Sequence, residues 1–199
     1  MTDTDIQGFL DRVFSRVPEL SRDKFSSKDW RFADRPTVEG IGLRPGVDVD
    51  VVKMVSRILD VEGYVKNMSH VAECEIIKKY SDTDFVYIQK ISVPILGGIQ
   101  AALRLVDCGD RNGYRAVAWT LDDEATDALD KKHGGARLAY SLGAWLIRPD
   151  EVGYALSSAP RKSDVGSLKF GLMTAGANTV GGEVLKAAIE GMIAWSKRD

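Results

Sequence analysis

The chain has 199 residues, 44% of them hydrophobic and 28% charged, with 27 Lys and Arg against 29 Asp and Glu for a formal charge of −2. That length suits a soluble globular protein with a substantial core, and the lack of a Lys/Arg cluster or basic stripe argues against a nucleic-acid surface. Two cysteines, Cys74 and Cys108, do not make a disulfide framework. The acidic start MTDTDIQGFLDRVF does not read as a signal peptide. No stretch approaches the ~20 apolar residues of a membrane span, so a cytoplasmic location is expected.

Ile6, Phe9, Leu10, Val13, Phe14 and Val17 sit at helical spacing with Asp and Arg residues between them, and Pro18 ends the pattern. This predicts an amphipathic helix docked on the rest of the protein, with a lid or a dimer contact as the alternatives. Ser21 to Pro36 is polar with Trp30 and Phe32 embedded, and reads as a connector. Residues 1–35 are therefore expected to form an N-terminal helix and connector, and 36–199 the main domain.

Thr37 to Leu43 predicts a first strand, and Asp48 to Asp60 a helix with Val51, Val52, Val55, Ile58 and Leu59 on one face. Tyr64 and Met68 continue it as a short second helix or turn. From His70 the period becomes two: Ala72, Cys74 and Ile76 alternate with Glu73 and Glu75. Ser81 to Asp84 supplies a turn, and Phe85 to Val93 is the next strand, ended by Pro94. A strand after Gly97-Gly98 carries Ile99, Ala101, Leu103 and Leu105 on one side. Gly109 to Gly113 is a hairpin turn into Tyr114 to Leu121. The acidic stretch Asp122 to Asp130 reads as a solvated loop, followed by strands Arg137 to Ile147 and Val152 to Ser158.

Ser167 to Arg198 predicts one long helix. Phe170, Met173, Ala177, Val180 and Val184 recur at steps of three or four, with Leu185, Ile189, Met192 and Ile193 adjoining. Gly171, Gly176, Gly181 and Gly182 each cost about 1 kcal/mol relative to alanine there, which points to close packing against the sheet or to a bend. Antiparallel strands that cannot bury an apolar face alone, closed by a long helix, make an α+β fold: a curved antiparallel sheet wrapped around the C-terminal helix.

Catalytic motifs are lacking. His70 and His133 have no second His or Cys at metal-ligand spacing, so no metal is expected. Gly40, Gly42 and Gly46 spell G-x-G-x-x-x-G with Pro45 inside, one residue too long for a dinucleotide loop, and fit a tight strand-to-helix turn better. The acids from Asp122 to Asp130 lack calcium-loop spacing. No cofactor is expected.

Three stretches carry a resemblance. Ile58-Leu59-Asp60-Val61-Glu62-Gly63-Tyr64 resembles the L-x-D-x-x-x-Y stretch after the first strand of START-like (helix-grip) domains. Asp84 to Gln89, ahead of Pro94, resembles their strand leading to a proline, and Arg137 to Trp145 the strand after their loop over the pocket mouth. With the order of elements, the resemblance covers about Pro36 to Lys197. Two features depart from it. The Arg-Asp pair usual in START lipid-transfer domains is replaced by Gly97-Gly98-Ile99, and Pro160 to Gly166 only approximates their Pro-Gly-Gly step.

The resemblance implies a deep apolar cavity between the sheet and the last helix, holding a lipid, sterol or polycyclic molecule as the protein's partner, with at most transient membrane contact. Strand parity and helix periodicity then nominate Ile58, Tyr87, Gln89, Leu103, Trp119, Tyr140, Phe170, Met173, Ala177 and Val184 as its lining. Gln89 and the tyrosine hydroxyls are the candidate polar anchors, because a polar atom in such a wall is costly unless paired. The expected function is binding or transfer without catalysis. The alternatives are a cyclase or aromatase drawing on Tyr87, Tyr140 or His70, and an interaction module whose cavity its own side chains fill.

Overall fold

The computed structural model describes residues 3–31, 38–92, 98–130 and 135–198, without the side chains of 3–5, 29–31, 38–39 and 172–181. In chain order the elements are helix α1 (Asp3–Arg16), strands β1 (Ser26–Arg31) and β2 (Val38–Pro45), and helices α2 (Val51–Leu59) and α3 (Tyr64–Asn67). Strands β3 (Val71–Ser81), β4 (Asp84–Ile91), β5 (Ile99–Arg111) and β6 (Tyr114–Leu121) follow, then the short helix α4 (Asp123–Asp127). Strands β7 (Ala136–Arg148) and β8 (Glu151–Pro160) precede α5 (Lys162–Val165) and the long α6 (Ser167–Ser196).

The strands form one eight-stranded sheet in the order β1-β2-β8-β7-β6-β5-β4-β3. All neighbours pair antiparallel, and a short parallel contact joins the start of β5 to the start of β7. Edge strand β3 is interrupted by three register shifts and carries Lys78 and Lys79, features that discourage edge-to-edge association.

Alternation along the strands sends side chains to two faces with separate cores. The inner face packs Phe85, Leu103, Leu105, Val117, Leu121, Ile147 and Val152 against Met54, Ile58 and Val61 of the α2 region and Ile189 and Met192 of α6. The outer face packs Ile41, Leu43, Ala116, Ala144 and Leu146 against Ile6, Phe9, Leu10 and Val13 of α1. The N-terminal helix thus docks on the sheet, covering β6 and β7. Behind it, the buried Glu151 carboxylate accepts hydrogen bonds from Arg22 and from the Tyr114 hydroxyl, fastening the segment after α1 to the sheet.

Three expectations change. The connector from Ser21 to Pro36 contains β1, which pairs with β2 through Ser26↔Leu43 to Arg31↔Val38. Polar Ser26-Ser27-Lys28-Asp29 lacks the apolar alternation that marks a strand, and its pairing is supplied by β2. The acidic stretch after β6 holds α4, whose N-terminus is capped by Asp122 accepting from the Ala125 amide at 3.0 Å. On α2 it is Met54, Val55 and Ile58 that turn inward, while Val52 is 80% exposed. Capping by Asp50, whose carboxylate accepts from the Lys53 amide at 3.0 Å, sets that helix's phase.

Candidate functional site

The end of α2 is the anchor of the inner face. Asp60 accepts from the Gly63 amide at 3.2 Å, and the Tyr64 hydroxyl donates to the Ile58 carbonyl at 2.6 Å. A side chain at Gly63 would overlap Trp195, whose ring meets Tyr64 edge-on at 5.9 Å. The stretch from Ile58 to Tyr64 therefore builds the seat on which the C-terminal end of α6 rests. Further along α6, Gly42 on β2 admits the helix: a Cβ there would lie 3.1 Å from Leu185 Cβ and 3.3 Å from Ile189. Gly46, with φ +68°, makes the strand-to-helix turn, whereas Gly40 and Gly42 lie within β2.

Burial on the inner face is uneven. Phe85, Leu103, Leu105, Val117, Trp145 and Ile147 are all buried. The inner residues Cys74, Ile76, Gln89 and Ile99 on β3 to β5, and Tyr154 and Leu156 on β8, keep accessible surface, although the outer residues Ala102, Ala155 and Ser157 are buried. Tyr154 is the clearest case. It lies mid-sheet, flanked by Trp145 at 4.4 Å and Trp119 at 5.5 Å, yet it is only half-buried. Burial nonetheless pushes its hydroxyl pKa above the ordinary tyrosine value.

The polar groups among these residues are neutral. Cys74 and Gln89 are cross-strand partners. Burial pushes the Cys74 pKa up to about 12, so it stays a thiol. Tyr64, Tyr87, Tyr154 and Cys74 lie within electrostatic reach of one another, and burial raises both the Tyr64 and Tyr87 hydroxyls well above 10. All three tyrosines remain protonated. Tyr64 is committed to the Ile58 carbonyl, whereas neither the Tyr87 nor the Tyr154 hydroxyl has a hydrogen bond among the described residues.

Five of the nominated residues share the inner face: Ile58, Tyr87, Leu103, Trp119 and the half-buried Gln89, with Tyr87 opposite Leu103 across β4 and β5. Phe170 is half-buried in the first turn of α6. The side chains of Met173 and Ala177 lie outside the described residues.

Two nominations are corrected. Tyr140 packs on the outer face, with Val106, Cys108 and Phe14. The register of β7 against β8 shifts between Leu138 and Tyr140, leaving Ala139 exposed as the extra residue. A one-residue bulge reverses which face every later side chain takes. Ser141, Gly143 and Trp145 consequently face inward, the reverse of strict alternation from Leu138. Val184 is 49% exposed, and Leu185 and Ile189 one and five positions on are the buried ones.

Sequence reasoning missed Tyr154, Trp145, Ser141 and Cys74. The first was findable, since Val152, Tyr154 and Leu156 alternate along β8; Trp145 and Ser141 lie beyond the bulge.

A cluster of charges gathers beside the face at the start of β7, and one pair, Arg115 with Asp107 at 2.6 Å, lies on its inner side. The Asp164 carboxylate accepts from Arg137 Nε at 2.9 Å and from the Arg137 amide at 3.1 Å, while Arg161 pairs with Asp127 at 2.5 Å. Gln100 donates to the Asp130 and Gly135 carbonyls at 2.9 and 3.0 Å. Together these ties fasten α4, the start of β7 and α5 to one another, next to the N-terminus of α6. Among the described residues no three His, Cys, Asp or Glu side chains converge as a metal site would require, and no helix is long and apolar enough to cross a membrane.

No protein-family model matches the sequence, and no curated protein matches it. Solved structures do match. A STAR-related lipid transfer protein (fragment 25–204) from Xanthomonas axonopodis superposes with a TM-score of 0.71 at 16% identity, covering 89% of this chain and 96% of that one. Human STARD10 gives 0.71 at 15% identity, covering 98% and 81%. The Zhui aromatase/cyclase from Streptomyces sp. R1128 gives 0.53 at 12% identity, covering 87% and 94%. With its eight-stranded antiparallel sheet, a long C-terminal helix across the inner face and a helix on the outer face, and with these likenesses, the chain has a START-like helix-grip fold.

Proposed function

We propose that this protein binds a hydrophobic small molecule, a lipid, sterol or polycyclic compound, between the inner face of the sheet and α6. The observation that carries this reading is the accessible surface left on inner-face residues. Tyr154 and Leu156, beneath α6 and beside two tryptophans, keep accessible surface where a packed core would leave none. Burying an apolar ligand there would contribute roughly 25 cal/mol per Å² of its surface removed from water. Structures named for lipid transfer share the fold, which supports the same reading.

Binding rather than catalysis is favoured by where the acid–base candidates fall. His70 is exposed at the start of β3, and Tyr140 is on the outer face. Tyr87 alone remains inside, and burial keeps it from ionising, which suits a hydrogen-bond donor better than a general base.

The reading is tested by filling the space. Wild type and Leu156→Trp are incubated with a total lipid extract, re-purified and extracted. Wild type should return bound lipid at about one per chain and the variant much less; equal retention would place the ligand elsewhere.

A further inference from the structure

Resting on that reading, we infer that the ligand's polar end is uncharged, a hydroxyl or a carbonyl, and that Tyr87 and Tyr154 receive it. The inner face offers the half-buried Gln89, Cys74, Tyr154 and Ser158 and the buried Tyr87, every one of them neutral. The charged groups nearby are engaged with one another, including Arg115 and Asp107, which pair at 2.6 Å on the inner side of β5 and β6. Lys90 pairs with Glu73 at 2.7 Å on the outer side of β3 and β4, and Arg104 with Asp84 at 2.7 Å on the outer side of β4 and β5. Arg137 and Arg161 pair with Asp164 and Asp127 beside the face rather than on it. Arg44 lies on the inner side of β2 but at the far end, before the turn into α2.

No Lys or Arg among the described residues acts on the Tyr87 or Tyr154 hydroxyl, so a carboxylate or phosphate carried to them would lose its water without meeting a cation, at a cost of several kcal/mol. A hydroxyl or carbonyl would not. Each tyrosine hydroxyl both donates and accepts, and those of Tyr87 and Tyr154 have no hydrogen bond among the described residues. The rings of Trp119, Tyr154 and Trp145 give the body of the molecule an apolar aromatic wall.

Three probes of one chain length separate this inference from the reading beneath it: octadecane, 1-octadecanol and stearate, delivered from cyclodextrin at pH 8 and quantified on the full-length protein by native mass spectrometry. The alcohol should bind about tenfold or more tightly than stearate. The double variant Tyr87→Phe/Tyr154→Phe should lose about five- to tenfold in affinity for the alcohol, the worth of one or two neutral hydrogen bonds, and keep its affinity for octadecane. Stearate bound as tightly as the alcohol overturns the inference and leaves the binding reading standing. Retention of none of the three overturns both.

Discussion

The indole of Trp119 lies across Gly143, its cross-strand partner on β7, and donates from Nε1 to Ser141 Oγ at 3.2 Å. A Cβ at position 143 would interpenetrate the ring. Glycine is the residue that lets a tryptophan fold down over its neighbouring strand and seal the sheet beneath it. The neighbouring Tyr154 then packs against two indoles, and the floor of the inner face becomes a continuous aromatic surface.

Gly143→Ala should accordingly destabilise the protein by about 1–3 kcal/mol, the range of an overpacked core. Urea unfolding followed by tryptophan fluorescence measures it. A change under about 0.5 kcal/mol would mean that the indole does not lie on Gly143.

The two faces of α6 make a paired test. Ile189→Ala on α6 should cost about 2–4 kcal/mol because its side chain is fully buried. Val184→Ala, at an exposed position on the same helix, should stay within about 0.5 kcal/mol. Comparable losses at the two would reverse the assignment of the helix faces.

Both corrections have the same physical origin. Period and parity locate an element, but its phase depends on features that leave little trace in composition. The strands from β2 to β8, α1 and α6 follow from alternation and helical spacing, because each buries one face and its pattern says so. Tyr140 was misplaced because the bulge at Ala139 shifts β7 by one residue, and nothing in ARLAYSLGAW marks where the extra residue falls. Val184 sits at a seam between two apolar strips of one helix, and which strip faces the sheet is decided by Gly42 on a strand far away in sequence. β1 was missed for a third reason: its polar residues add to the sheet's edge through backbone pairing with β2.

The tie between β7 and α5 should show in acid. Arg137 hydrogen-bonds the Asp164 carboxylate and holds its pKa well below the ordinary value. A folded pKa below the unfolded one contributes stability that is complete above the unfolded value, near pH 4. That contribution is lost as pH falls through the folded value. Asp164→Asn should therefore be less stable than wild type by roughly 1–2 kcal/mol between about pH 5 and 7. The gap should narrow steadily below about pH 4. Urea titrations across that range measure it, and a gap independent of pH would remove Asp164 from the acid response.

On the outer face, Glu151 is a buried carboxylate whose partners are Arg22, Tyr114 on β6 and Arg148 at the end of β7. Replacing it with alanine leaves the Tyr114 hydroxyl and Arg22 without their shared acceptor, which should cost about 1–3 kcal/mol. Because Arg22 follows α1 directly, the same change should raise hydrogen exchange across α1 more than across α6. Uniform loss of protection in both helices would show that the tie is not local to the N-terminal segment.

The account's central claim is that the inner face takes up a hydrophobic guest, and native mass spectrometry of the full-length protein incubated with a total lipid extract tests it most directly. The predicted result is one non-covalent adduct per chain, released on denaturation and recovered in organic solvent as an uncharged amphiphile. A protein that shows only its bare mass after exposure to neutral and charged lipids alike would contradict the account.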